Sequence, residues 1–310
     1  MAWTQRILKR VGSAPATKLA LPLLVLALAA LVYGLYGFDD VLLRDYSIYV
    51  YGGERIVEGT PPYVGFFDHK GPLAPMIAGL GVALSQLFGT YDILTVRLVF
   101  YTSACLAVVA VYLLGKNMFR SQAVGFLGAM TFLGFYGYAQ PAASGPEPKT
   151  PMVLFEVLSL LLTIQKRWFW AGFFGSLAFL VWQPMAAFPF VTFFLAVFRP
   201  KEERYRAILG AFGGIATPLV AILMYYYYEG ALGELANGVV FFNVLYLVRG
   251  GVPDLTSVHG AGGSVIFPYG TMVAAIVVGF VMILRLYFTR PFDTASRRSF
   301  SLCQLLSCGL

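Results

Sequence analysis

The sequence predicts an all-α, polytopic membrane protein. Of the 310 residues, 59% are hydrophobic and only 12% are charged, whereas a soluble domain carries roughly 25% charged residues. The mean hydropathy is +0.75. Several apolar runs approach the roughly 20 residues that a helix needs to cross a bilayer, and they lack the period-two alternation of membrane barrel strands. One water-soluble core could not bury this much apolar surface.

Nine apolar stretches are candidates for membrane helices. They are 19–36, 73–88, 93–115, 121–139, 150–165, 168–182, 184–198, 207–228 and 265–288. The first follows a basic start but has no small-x-small cleavage site after it, so we expect a retained anchor helix rather than a cleaved signal peptide. The stretch 73–88 is shorter than a span requires and can instead lie flat at the interface. We expect 168–198 to divide at Gln183-Pro184.

The distribution of Lys and Arg decides between these two placements of 73–88. If that stretch stays on the outer surface and the N-terminus is inside, 16 of the 22 basic residues lie on the inner side. They are Arg6, Lys9, Arg10, Lys18, Lys116, Arg120, Lys166, Arg167, Arg199, Lys201, Arg204, Arg206, Arg285, Arg290, Arg297 and Arg298. If 73–88 crosses, every later basic cluster moves outward. The positive-inside rule therefore predicts eight spans with both termini cytoplasmic, in a multi-pass protein of the cell membrane.

This topology divides the chain into a transmembrane domain, 1–288, and a cytoplasmic tail, 289–310, which could also be the truncated or non-native end of a longer protein. The outer segments are 37–92, 140–149 and 229–264, and they carry most of the acids. Because Asp and Glu contribute little to topology, their accumulation on one side indicates a reaction site on the external face.

The first external loop, 37–92, has the richest chemistry. Residues 45–57 can form a helix with Tyr46 and Tyr49 near one face. Pro61-Pro62 would end this helix, and Pro72 would begin the next one. A carboxylate near a Lys at a membrane surface can act as a base while the cation holds a phosphate, which is the minimum for group transfer from a lipid phosphate. The alternative is that these residues are ordinary solvated loop charges.

The order of residues in this segment carries a resemblance to a known family. The relevant matches are Asp45, Gly59-Thr60-Pro61-Pro62-Tyr63, Phe67-Asp68-His69-Lys70-Gly71-Pro72-Leu73, Phe88-Gly89 and Arg97-Leu98. This segment resembles the first external loop of the GT-C membrane glycosyltransferases, in particular the branch of the dolichyl-phosphate-mannose-protein mannosyltransferases and aminoarabinose transferases. The resemblance covers about 40–165.

The resemblance implies a GT-C-like fold and an inverting glycosyltransferase that uses a polyprenyl-phosphate sugar. Asp45 would be the general base and Lys70 would contact the donor phosphate. Asp68 or His69 would occupy a position that can contribute to a site for a divalent metal ion. Glu147 takes the place of a second loop acid, and Lys149 would add a phosphate contact. Asp45 is followed by Tyr46 rather than Glu, so Asp40 remains a rival base.

Three further residues have two open interpretations each. Arg97 either snorkels to the outer interface or contacts phosphate. His259 either belongs to a plain Gly-rich loop or completes a metal site. Glu156 lies within a predicted span, where an acid is costly, and is either functional or hydrogen-bonded between helices.

The leading functional hypothesis is hexosyl or pentosyl transfer from the lipid-phosphate sugar to an acceptor that is a protein, a lipid or a glycan. The other expected partners are membrane lipids, and no nucleic-acid partner is expected. The alternatives are a secondary transporter or lipid flippase, and an inactive fragment of the transferase. A transporter would place charges inside the spans and broken helices in both halves, whereas these spans are nearly free of charge.

Overall fold

The computed structural model describes residues 15–42 and 44–249. All regular secondary structure in these residues is helical, which confirms the all-α prediction. The last predicted span at 265–288, the tail 289–310 and His259 lie outside the described residues.

Twelve α-helices follow one another in the described part of the chain. They are α1 (Pro15–Gly34), α2 (Arg44–Val57), α3 (Leu73–Phe88), α4 (Asp92–Phe119), α5 (Gln122–Leu133), α6 (Tyr136–Ser144), α7 (Lys149–Ile164), α8 (Trp168–Val181), α9 (Ala187–Val197), α10 (Lys201–Tyr228), α11 (Leu232–Ala236) and α12 (Phe242–Arg249). A 3₁₀ turn, Gln183–Ala186, precedes α9, and a π-helical turn, Asn237–Phe241, joins α11 to α12.

Several helix boundaries agree with the sequence-based expectations. The juxtamembrane helix predicted at 45–57 is α2, and α3 covers 73–88. The chain between α8 and α9 breaks at Gln183, as expected. Pro72 is the N-cap of α3, where its missing N–H costs no helical hydrogen bond.

One boundary prediction was wrong. The stretch 121–139 is not one helix, because the chain leaves the helix at Gly134 and begins α6 at Tyr136. Helix α2 ends at Val57, as predicted, and Gly59 follows before Pro61-Pro62 with a φ of 86°, in the left-handed region that favours glycine.

The expected number of membrane spans is also corrected. Two described helices, Asp92–Phe119 and Lys201–Tyr228, are long and apolar enough to cross a membrane, not about eight. The apolar part of α1, Leu19–Gly34, and the other shorter apolar helices have 10–17 residues, which falls below the roughly 20 that a straight span requires. The break at Gly134 shortens one of the expected spans.

The chain divides into two units. One comprises residues up to 134 together with 138–244, and the other comprises 135–137 and the residues from 245 onward. In the second unit the described residues form the start of α6 and the end of α12.

Within the first unit, α4 packs against α1, α3, α5 and α7, and α8 packs against α7, α9 and α10. Buried side chains from α2, α3 and α4 form one hydrophobic cluster that includes Tyr49, Val82 and Phe100. Glycines allow the closest approaches. A Cβ on Gly214 would lie 1.9 Å from the carbonyl oxygen of Phe169, so α8 and α10 meet backbone to backbone.

The three segments that the sequence places outside the membrane contact one another at one end of this unit. The ring of Tyr46 lies on Gly145 of the second segment. The hydroxyl of Tyr226 donates to the carbonyl of Pro62 at 3.3 Å, and Asn243 donates to the carbonyl of His69 at 3.0 Å. These contacts place parts of the charged segment 37–92 beside the other two segments.

Candidate functional site

One cleft brings together four of the predicted site residues. Asp45, Asp68, His69 and Lys70 all line it. Its remaining wall residues are Ile48, Tyr49, Phe67 and Phe242, and its volume is about 270 Å³. Helix α2 supplies Asp45 and Tyr49 one turn apart on one face, and the loop before α3 supplies the charged residues 68–70.

A hydrogen-bonded chain connects the two charged groups at the base of the cleft. The hydroxyl of Tyr49 donates to Asp68 Oδ2 at 2.7 Å, and Lys70 Nζ donates to the hydroxyl oxygen of Tyr49 at 2.8 Å. Nζ also lies 5.3 Å from the centroid of the Tyr49 ring. Tyr49 is only 2% exposed and Asp68 is 9% exposed. The chain is therefore largely shielded from water on the side of Asp68.

Burial and the adjacent Asp68 carboxylate raise the pKa of Tyr49 far above its ordinary value. The phenol consequently keeps its proton and remains a donor to Asp68 at all physiological pH values. Its oxygen lone pair is then available to the ammonium of Lys70, which has two further N–H donors for other partners.

The backbone of the charged loop is held at several points. The carbonyl of His69 accepts from Gln183 Nε2 at 3.2 Å and from Asn243 Nδ2 at 3.0 Å. The hydroxyl of Tyr63 donates to the carbonyl of Lys70 at 2.6 Å. The amide of Gly71 donates to the carbonyl of Val181 at 3.0 Å. These contacts fix the direction in which the Lys70 side chain leaves the loop.

Asp45 lies in the first turn of α2 and is exposed to the cleft. The neighbouring Tyr46 is mostly buried, and its burial together with the charges of Glu147, Asp45 and Asp40 raises its pKa to about 12. A carboxylate at this position can accept a proton from a hydroxyl group that enters the cleft.

Glu147 is close to this helix but does not line the cleft. Its side chain is 17% exposed, and Oε1 lies 4.0 Å from Lys149 Nζ. The Glu147 carbonyl accepts from the amide and the hydroxyl of Thr150, which lies in the first turn of α7. Because Gly145 has no side chain, the Tyr46 ring can lie directly on this loop.

The other predicted phosphate and base candidates lie elsewhere. The guanidinium of Arg97 is buried and donates to the main-chain carbonyls of Phe38 and Asp40, so it holds the segment between α1 and α2. The Asp40 carboxylate is exposed and accepts from the amide of Val41 at 2.9 Å. Lys149 is 57% exposed and pairs with Glu147. None of these three side chains lines the cleft.

An apolar groove next to the cleft was not anticipated from the sequence. Its volume is about 330 Å³, and it shares the loop residues Gly71 and Pro72 that directly follow Lys70. The rest of its wall consists of Phe179, Leu180, Leu219, Ile222, Leu223, Leu232, Leu235, Ala236, Val239 and Val240. The wall comes from α8, α10, α11 and the π-helical turn that follows α11. Because α9 separates α8 from the other elements along the chain, no local pattern could indicate the groove.

The sequence did not predict the supporting roles of three residues: Gln183 and Asn243, which donate to the carbonyl of His69, and Tyr49, whose hydroxyl lies between Asp68 and Lys70. The position of Tyr49, four residues after Asp45 on an amphipathic helix, was the one available signal, since such residues share a face. The two amides carry no local signal, because they reach His69 from more than 100 residues away.

Two of the three residues predicted for a metal site, Asp68 and His69, lie in the cleft, and the third, His259, is outside the described residues. No group of three His, Cys, Asp or Glu side chains lies close together in residues 15–42 and 44–249. Asp68 Oδ2 accepts from Tyr49, and Oδ1 lies 3.3 Å from His69 Nδ1. Both carboxylate oxygens of Asp68 therefore have protein partners.

No protein-family model matches the chain, and neither a curated protein nor a solved structure matches it.

Proposed function

We propose that the protein is an inverting glycosyltransferase that moves a sugar from a polyprenyl-phosphate donor to an acceptor hydroxyl on the external face of the membrane, in a GT-C-like fold. One observation carries the proposal. An exposed carboxylate, Asp45, and an anchored ammonium, Lys70, line the same cleft. This is the pairing of a base with a phosphate-binding cation that transfer from a lipid phosphate needs.

The chemistry assigns a separate step to each group. The acceptor hydroxyl gives its proton to Asp45 while its oxygen attacks the anomeric carbon from the side opposite the phosphate. The bond between that carbon and the phosphate oxygen breaks, and the electron pair leaves with the phosphate. Lys70 stabilises the growing negative charge on the leaving phosphate. The products are a glycoside of inverted configuration and a polyprenyl phosphate.

The apolar groove supports a lipid-linked donor. It begins at Gly71 and Pro72, directly after the phosphate-binding candidate Lys70. An amphiphile with its phosphate at Lys70 can therefore place its first isoprenoid units against leucines and valines of the groove. Burial of apolar surface contributes about 25 cal/mol per Å² to such binding.

The distribution of basic residues supports an external site. The cleft is built from segments 37–92 and 229–264, which the positive-inside rule assigns to the outer side. Such a site uses a donor that is already activated and carried by the membrane, so it needs no nucleotide-binding motif.

The decisive test replaces the proposed base. The full chain, purified in lipid nanodiscs, is assayed for transfer from a radiolabelled polyprenyl-phosphate sugar to candidate acceptors. We expect Asp45→Asn to reduce kcat by about 10²–10⁴-fold, the usual contribution of a general base. Asp39→Asn is the matched control, because Asp39 is an exposed acid outside the cleft, and it should retain activity.

Asp40→Asn tests the rival base in the same assay. Full transfer by Asp45→Asn together with inactive Asp40→Asn would move the base to Asp40. If the unmodified chain moves lipid across the membrane but transfers no sugar, a transporter or flippase is favoured instead.

A further inference from the structure

The hydroxyl of Tyr49 lies between two groups of opposite charge that do not pair directly. It donates to Asp68 at 2.7 Å and accepts from the Lys70 ammonium at 2.8 Å. The second oxygen of Asp68 faces His69 at 3.3 Å. Lys70 is thus connected to a buried carboxylate through one neutral phenol.

Core packing alone does not require this hydroxyl. The Tyr49 ring belongs to a hydrophobic cluster with Ala78, Val82 and Phe100, and a phenylalanine ring would fill the same space. The hydroxyl is the only polar atom that this side chain adds, and it reaches the floor of the cleft. Its position therefore needs an explanation in terms of its two polar partners.

A direct ion pair would change the direction of the ammonium. Carboxylate and ammonium attract strongly in a partly buried setting, so Lys70 would bend toward Asp68 if nothing separated them. An ammonium neutralised in that way would have less attraction for an incoming anion. The phenol prevents this collapse and still passes part of the negative potential of Asp68 to Lys70.

We propose that Tyr49 is a positioning residue that holds the Lys70 ammonium apart from Asp68 and directed into the cleft, where it binds the phosphate of an isoprenoid phosphate. The inference rests on the proposed function, because it takes Lys70 as the phosphate-binding group. Tyr49 itself does not touch the donor, and it acts through the direction and charge of Lys70.

The test compares two ligands that differ only in the phosphate. Binding of farnesyl phosphate and of farnesol is measured on the purified full chain in nanodiscs. The unmodified chain should prefer farnesyl phosphate. Tyr49→Phe should lower that preference about tenfold, the value of one hydrogen bond to a charged group, while farnesol binding stays unchanged.

The matched control is Tyr138→Phe. Tyr138 is also a buried tyrosine, and its hydroxyl donates to the carbonyl of Thr150, outside the cleft. This variant should keep the full phosphate preference. Lys70→Met should abolish the preference, and adding Tyr49→Phe to Lys70→Met should change nothing further, because a residue that acts through Lys70 has no effect without it.

Different outcomes overturn different claims. If the unmodified chain binds both ligands equally, the phosphate site of the proposed function fails, and the role of Tyr49 fails with it. If Lys70→Met abolishes the preference but Tyr49→Phe keeps it, only the role of Tyr49 is wrong. Equal losses for both ligands in Tyr49→Phe, or a further loss of phosphate preference in the Lys70→Met background, would also overturn it.

Discussion

At the scale of single residues, the approach of the second outer segment to α2 depends on the missing side chain of Gly145. A Cβ at this position would lie 2.1 Å from Tyr46 Cδ2, far inside van der Waals contact. The ring of Tyr46 is 8% exposed and is held between α2 and this loop, so it has little room to move. Gly145 therefore links the loop of Glu147 to the helix of Asp45.

We expect Gly145→Ala to destabilise the protein by about 1–3 kcal/mol, the usual cost of overpacking a buried contact. It should also lower transferase activity, because Asp45 directly precedes Tyr46 on α2. Thermal unfolding followed by tryptophan fluorescence measures the first effect. Gly128→Ala is the control, since its Cβ would meet nothing within 4 Å in α5. Equal melting temperatures for both variants would contradict the proposed contact.

The sequence could predict charged site residues that lie close together along the chain, but not their partners. Asp68, His69 and Lys70 are consecutive, and a helical repeat connects Asp45 to Tyr49, so the closeness within each of these two groups follows from local geometry. The contact between the two groups is tertiary. Arg97 looked equally suitable for phosphate by charge. Its two carbonyl partners, on Phe38 and Asp40, depend on how α4 packs beside the preceding loop, which no local pattern encodes.

At the scale of elements, the packing of α8 on α10 is set by small residues. Gly210 and Gly214 lie one helical turn apart, a spacing that allows close helix packing. A Cβ on Gly214 would lie 1.9 Å from the carbonyl oxygen of Phe169, and a Cβ on Gly210 would lie 3.1 Å from Trp168 Cβ. Backbone atoms cannot give way as a flexible side chain can, so Gly214 is the stricter position.

Gly214→Ala should therefore separate α8 from α10 and lower the melting temperature, whereas Gly213→Ala should not. The neighbouring Gly213 makes an unusually well-matched control, because its Cβ would lie 3.7 Å from the Phe169 ring, an ordinary contact. An alanine there also removes the helix cost of glycine, about 0.5–1 kcal/mol. Similar destabilisation by both variants would show that the α8–α10 contact is looser than described.

Helix starts were easier to predict than interruptions within apolar stretches. Pro72 and the polar segment before it mark the start of α3 by local chemistry. Four glycines are spread along the apolar stretch 121–139, and hydropathy does not indicate that the helix breaks at Gly134 rather than at another of them. Tyr138, just after the break, is buried and donates to the carbonyl of Thr150 on α7. Such a contact cannot be inferred from hydropathy.

At the scale of the whole molecule, two sets of loops can be compared with the charge-based topology. The segments predicted outside meet through Tyr46 and Gly145 and through Asn243 and His69. Among the segments predicted inside, Glu203 pairs with Arg199 of its own segment at 3.1 Å and interacts electrostatically with Lys166 of the preceding inner segment. Segments predicted on the same side therefore lie near one another, and which side faces the cell interior stays a prediction.

Cysteine labelling in intact cells tests this orientation directly. The chain's own cysteines, Cys105, Cys303 and Cys308, are first replaced by alanine. In this background Glu58→Cys should react with a membrane-impermeant maleimide, because the exposed side chain at position 58 follows α2 on the predicted outer side. Asn117→Cys, exposed near the other end of α4, should react only after permeabilisation. Sugar transfer by the cysteine-free chain provides the control for folding.

If Asn117→Cys is labelled in intact cells and Glu58→Cys is protected, the topology is the inverse of the predicted one. A cleft on the cytoplasmic side would then have no access to an external acceptor. Labelling of both positions in intact cells would mean that α4 does not cross the membrane, although it is one of the two described helices long enough to do so.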